Sequence, residues 1–340
     1  MVHPAPAKVA EVSAPAKAAA PLLSLTENQA IATLRVLVRL SKSGGTIQPA
    51  RRAGLERAFQ RLKLPANITP SSLLDETCDL DVQLYLFRTL EARESLYRSA
   101  VAMVLTESGG TTAEQRMLDH IRTTLHIADE SAAMTRRVFD AGEDPLLPSD
   151  IETVAEPARR AKEVKADIAK SALQSALVGS IPTPGQALAT DVALIALQVK
   201  LVRDIAQRFG HPLDEFAARA LLGGLGLGTG ARVAVSNVAK HVPVWAAAVG
   251  ASASFASTKA LGEIADAYFR GGAKVAIASM QSDFDAAELE AGKAYATQKE
   301  RVESERARNA PALQTLDVDL SAGRVTPREY AARIEQFARA

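Results

Sequence analysis

The residues able to do chemistry are few and scattered. Cys78 is the single cysteine of the 340-residue chain, so neither a disulfide framework nor a cysteine-built zinc or iron–sulfur site is available. It sits beside Asp75, Glu76 and Asp79, acids that raise a thiol's pKa and make it a poor nucleophile. His120 and His126 lie six apart and cannot share a helix face as a His-x-x-x-His zinc pair does, and His-Glu-x-x-His is absent. The glycine run Gly223 to Arg232 (GGLGLGTGAR) lacks the Lys-Ser/Thr pair of a phosphate-binding P-loop. Its glycine spacing also misses the dinucleotide fingerprint. No catalytic constellation stands up, so the expectation is a non-enzymatic protein with no cofactor.

Composition agrees with that expectation. Lys+Arg is 40 against 39 Asp+Glu, a balance that argues against nucleic acid as a partner. Aromatics are only 4%. Alanine makes up about one residue in five, far above ordinary usage. Alanine is the best helix former and adds little packing volume, so closely spaced helices with few bulky anchors are expected. No stretch reaches 18 strongly apolar residues, so an ordinary membrane-spanning helix is not expected.

Helical spacing and start signals divide the chain. Residues 1–23 alternate Ala, Pro, Lys and Val and read as a disordered tail. Ser24 and Glu27 form a capping-box signature for a helix to residue 41. Pro49 opens a second helix to about Lys63, and further helices are expected at 80–90, 93–107, 113–126 and 129–140. The Pro-rich run at 141–150 reads as a linker. Ser149 and Glu152 then start a long helix to about Leu177, bent at Pro157. After the turn Gly179 to Gly185 comes an apolar helix ended by Gly210 and Pro212. Next come a small-residue region, 220–258, and a charged helix from 273 to 308. A final hairpin has Thr326, Pro327 and Glu329 as its second start signal. Nothing alternates as a strand does. The expected fold is all-α, built of multi-helix bundles, with segments 24–140, 151–275, 276–310 and 311–340.

The tetrapeptide Ser-Gly-Gly-Thr occurs at 43–46 and again at 108–111, each copy between apolar helices, which implies duplicated helical hairpins. This arrangement resembles the TerB-like family of tellurite-resistance proteins over residues 25–140. In that family the two loops carry acids implicated in binding divalent metal. Here Gly44 and Gly109 stand where the family has aspartate, and only Glu107 and Glu114 remain as metal candidates. Hard cations need several oxygen ligands, and Lys42, Arg51 and Arg52 crowd the first loop with positive charge. A tight turn using glycine at positive φ accounts for the loops without metal. Metal binding stays as the alternative function.

Residues 165–275 are similar to the YcjF-like bacterial family, a membrane-associated group. The resemblance rests on Ile181-Pro182-Thr183-Pro184-Gly185, on Asp191, Gln198 and Lys200, and on Ala260-Leu261-Gly262 before Tyr268-Phe269. It implies a membrane surface or a partner protein as the contact, at the cytoplasmic side of the inner membrane. Leu225, Leu227, Val233, Val235, Val242, Val244 and Trp245 are the contact candidates, with Arg232, Asn237, Lys240 and His241 near a hairpin tip or interface. Tight packing inside a soluble core is the other reading of the same small residues. The tail, with Gly323-Arg324-Val325-Thr326-Pro327-Arg328-Glu329-Tyr330, resembles the short C-terminal (SHOCT-like) hairpin of bacterial oligomeric or membrane proteins. That implies homo-oligomerisation or docking through the hairpin. Together these readings give a helical scaffold or adaptor with peripheral membrane association.

Overall fold

The structure is a computed structural model that describes residues 25–105, 110–140, 151–180, 187–227, 229–242, 245 and 249–337. The fold is all-α, with fifteen helices and no strand among the described residues.

The N-terminal helices are α1 (Glu27–Ser41), α2 (Pro49–Gln60), α3 (Pro70–Asp75), α4 (Leu80–Leu84), α5 (Leu90–Leu105), α6 (Thr112–Thr124) and α7 (Asp129–Asp140). Thr26, not Ser24, caps α1: its hydroxyl accepts the Gln29 amide at 3.2 Å, and Gln29 Oε1 accepts the Thr26 amide at 3.0 Å. Ser24 lies outside the described residues, and so does the linker 141–150. The short helix α3 has its own capping box, Thr69 with Ser72, in a stretch too brief to show apolar periodicity.

The two Ser-Gly-Gly-Thr copies share one backbone device. Gly45 and Gly110 both hold positive φ, 119° and 76°, a region costly for other residues. Beyond the glycines the copies diverge. Thr111 caps α6 directly, whereas α2 starts two residues later, at Pro49, behind an uncapped Gln48.

The remaining helices are α8 (Pro157–Gly179), α9 (Ala187–Arg208), α10 (Glu215–Leu222), α11 (Thr229–Ala239), α12 (Ala251–Arg270), α13 (Gln281–Arg308), α14 (Ala310–Ser321) and α15 (Pro327–Phe337). Pro157 begins α8 and does not bend it. Its missing N–H suits the first helical position, and the Glu156 carboxylate takes the next two amides, at 2.8 and 2.5 Å. Residues 151–155 are not helical, and the Val154 amide bonds to the Arg208 carbonyl at 3.0 Å. Between α10 and α11, Gly223–Leu227 forms a turn of π-helix, where glycine lets the wider backbone ring close.

Segments 24–140 and 151–275 do not keep separate cores. Helix α11 lies against α5, α2 and α9, and one apolar cluster runs from Leu34, Leu55 and Leu96 to Val235, Val238, Leu261 and Phe284. Helices α8 and α12 pack most closely. A β-carbon added at Gly262 would sit 2.6 Å from Ile168 Cγ1, and one at Gly179 would sit 2.3 Å from Ser254 Oγ. Both glycines permit the approach by lacking a side chain.

Thr326 does cap the last helix. The Thr326 hydroxyl and the Glu329 carboxylate exchange hydrogen bonds with each other's amides at 3.1 and 2.8 Å. The hairpin α14–α15 folds back on its own chain. Leu313, Leu316, Tyr330 and Ile334 form a core with Ala193, Leu194 and Leu197 of α9. These apolar residues of the hairpin are covered within the chain.

Candidate functional site

A partly open cleft of about 40 Å³ lies where four helices meet. Each helix brings residues spaced three or four apart, which places them on one face. Helix α2 supplies Arg57 and Arg61, α11 supplies Arg232 and Ser236, and α12 supplies Ser254 and Ser257. Asp191 enters from α9.

The charges there pair unevenly. Arg57 lies 3.2 Å from the Asp285 carboxylate, donates to the Leu225 carbonyl, and stacks on Phe284 at 5.5 Å. Arg61 meets Glu288 at 2.5 Å. Lys240 Nζ donates to Asp191 Oδ1 at 2.9 Å. Arg232 donates to Gln198 Oε1 at 2.9 Å, and among the described residues no carboxylate lies within ion-pair distance of it. Burial, followed by the neighbouring Arg61, pushes its pKa down to about 10. Gln198 is held for this contact by Thr258, whose hydroxyl accepts its amide at 3.0 Å.

One polar atom is also left unspent. Asp191 Oδ2 is buried without a hydrogen-bond partner. Asp191 is only 8% exposed. Ser236 and Ser254 are buried alongside. A buried polar atom without a partner costs free energy, so this one at a cleft marks a place where a donor would be accommodated.

The sequence-selected contact residues that the structure describes are buried. Leu225, Val233, Val235, Val242 and Trp245 are buried in the main core. Their apolar surface is already covered by helices of the same chain, so they offer none to lipid or to a partner. Trp245 is no interfacial anchor: it is 1% exposed, and its indole N–H donates to the Lys63 carbonyl at 2.9 Å. The polar residues do not form a tip either. Asn237 is fully buried and donates to Ser99 Oγ at 2.8 Å, while Arg232 and Lys240 reach the cleft region. Val244 and the side chain of Leu227 lie outside the described residues.

The metal candidates fare similarly. Glu107 lies outside the described residues. Glu114 is 3% exposed, its Oε2 accepts the Thr111 amide at 2.7 Å, and its Oε1 is paired with Arg51. Burial works to raise its pKa, but the Thr111 amide and Arg51 outweigh burial and hold the carboxyl below its usual range. A carboxylate spent on a helix cap and an arginine is not free to ligate a cation. Among the described residues no group of three acids, histidines or cysteines is placed to hold a metal. Cys78 has its pKa raised, first by burial and then by Glu76. His120 pairs with Asp81 at 2.7 Å.

One surface stands out besides the cleft. Within nine residues, Val82, Tyr85, Leu86 and Leu90 are 60%, 69%, 41% and 56% exposed. The corner that presents them is fixed from inside. Leu84 and Phe87 are buried, Asp79 caps α4 through the Asp81 and Val82 amides, and Gln29 donates to the Leu86 carbonyl at 3.1 Å. Arg88 stacks on the exposed Tyr85 ring at 3.7 Å.

Comparison with family models, with curated proteins and with solved structures gives no match for this chain. The geometry therefore carries the functional reading.

Proposed function

We propose that the protein is a non-catalytic helical adaptor that docks a partner protein on the corner formed by Val82, Tyr85, Leu86 and Leu90. The exposed apolar side chains on that rigid corner carry the reading. Large apolar groups gathered on a surface mark contact sites, and a tyrosine stacked with arginine is typical of their centres. The alternative occupant is a membrane surface. No described helix is long and apolar enough to cross a membrane. Segment 75–94 carries two arginines against six acids, so an anionic leaflet gains no attraction from it. A protein partner is the better fit.

A photo-crosslinking residue at position 82, with exposed position 293 as control, tests this in cells. The expected result is a discrete protein adduct at 82, absent at 293 and lost when Leu86 and Leu90 become serine. Adducts to lipid alone, or none, refute docking of a protein at this corner.

A further inference from the structure

We propose that the cleft between α2, α9, α11 and α12 binds a tetrahedral oxyanion that retains a proton: inorganic phosphate or the phosphate group of a small monoester. The docking corner at Val82 to Leu90 lies apart from the cleft, and neither site depends on the other.

The charge arrangement points first to an anion. Four cations, Arg57, Arg61, Arg232 and Lys240, face three acids, Asp191, Asp285 and Glu288. Three of the cations meet those acids in close pairs, and among the described residues Arg232 has no close carboxylate of its own. A cation without a close ion pair in a desolvated position is costly, and an anion in the cleft lowers that cost. A guanidinium presents five donors in a planar fork, the geometry that suits an oxyanion. Among the described residues Arg232 uses only the bond to Gln198.

The neutral donors point to several oxygens on one centre. Ser236 stands one turn from Arg232 on α11, and α12 meets the cleft with its first turn. That helix begins at Gly250 with no side-chain cap, so its first amides add a favourable field for negative charge. The cavity is about three times the minimum for one ordered water, enough for a compact group of a few heavy atoms. It is partly open, so a substituent on the anion has a way out.

Asp191 sets the protonation state. Its Oδ2 is buried and lacks a donor, while Oδ1 is held by Lys240. A fully deprotonated anion would be repelled by this oxygen. An oxyanion that keeps one proton donates it to Oδ2 and satisfies the orphaned atom. A phosphate monoester keeps one proton up to about pH 6 and inorganic phosphate keeps at least one well beyond it, whereas sulfate has none to give.

Calorimetric titration of the full chain at about pH 6 and fixed ionic strength tests the proposal, with inorganic phosphate, glycerol 3-phosphate and sulfate as probes. Saturable binding of phosphate or of glycerol 3-phosphate is expected, with sulfate weaker by about tenfold or more, the worth of one charge-assisted hydrogen bond. Tighter binding of glycerol 3-phosphate assigns the site to an ester, and tighter binding of phosphate assigns it to the free ion. No saturation by either in the millimolar range overturns the proposal, and so does equal binding of sulfate. Arg232→Gln should abolish the phosphate heat and leave the ligand-free protein at least as stable. Should that variant fail to fold, Ser236→Ala reads the same site and should weaken phosphate by about tenfold. Unchanged phosphate affinity in whichever of these variants folds also overturns the assignment.

Discussion

Replacing Gly262 by alanine should destabilise the protein when Ile168 is present and stabilise it when Ile168 is absent. In the native chain the new β-carbon would stand 2.6 Å from Ile168 Cγ1 and 3.1 Å from both Cγ2 and Cδ1. Forcing a carbon into packed surroundings costs about 1–3 kcal/mol. Alanine recovers about 1 kcal/mol over glycine inside a helix. The net change for Gly262→Ala alone is therefore a loss of about 0–2 kcal/mol. Ile168→Ala removes all three clashing atoms, at its own cost of about 2–5 kcal/mol for a buried isoleucine. In that background only the helix-propensity gain remains, and Gly262→Ala should add about 1 kcal/mol. Urea unfolding of the four chains, followed by circular dichroism and by the fluorescence of Trp245, closes the cycle. The expected coupling is about 1–3 kcal/mol. If Gly262→Ala has the same effect in both backgrounds, helices α8 and α12 do not meet at this point, and the small residues serve something other than close packing.

Further outcomes rest on single contacts. Trp245→Phe leaves the Lys63 carbonyl without its donor and should cost about 1–3 kcal/mol in urea unfolding. In the wild-type chain acrylamide should barely quench Trp245. Glu114→Gln should weaken the protein at neutral pH through loss of the Arg51 pair. Because the folded pKa of Glu114 lies below its unfolded value, the wild-type advantage is present above about pH 4.5 and fades as pH falls through the folded pKa. Melting temperatures of both proteins across acid pH check the convergence. Asp317 is opposite in sign: burial raises its carboxyl pKa despite the hydrogen bond from Tyr330. Its ionisation therefore costs stability as pH rises through that range, and Asp317→Asn should raise the melting temperature at neutral pH but not below about pH 3. Truncation after Asn309 bares the α9 face that α14 and α15 cover, so the shortened chain should bind an apolar dye that the full chain does not. Equal dye binding by both would mean the hairpin does not cover that face.

Local rules make the fold class legible because they operate within a few residues. Thr326 with Glu329, Pro49 at a helix start and the paired glycines at 45 and 110 each act within one turn, and the structure keeps them. Helix starts become ambiguous where neighbouring signals compete. Glu152 has the spacing of a capping partner, but Pro157 offers a first helical position that needs no N–H donor, and Glu156 stands ready to cap it. The cleft is illegible for a different reason. Its residues come from positions 57 to 257, and no local periodicity links Arg57 to Asp191 or Arg232. One signal is present: Arg232 is a charged residue in the middle of a helix whose neighbours Ala231, Val233 and Ala234 are buried. In sequence the same arginine fits a hairpin tip as well. Small, weakly apolar segments serve lipid contact and core packing equally, and composition alone does not choose between them.

The insertion of α11 against α1, α2 and α5 bears on how portable the first half of this chain is. Asn237 donates to the Ser95 carbonyl at 3.1 Å and to Ser99 in the middle of α5, and the Leu25 amide bonds to the His241 carbonyl at 3.1 Å. A fragment ending near residue 140 would carry those groups with nothing to answer them. Gene fusions and exchanges that treat the first half as a self-sufficient cassette should yield insoluble products, whereas those that carry residues 25–337 together should not.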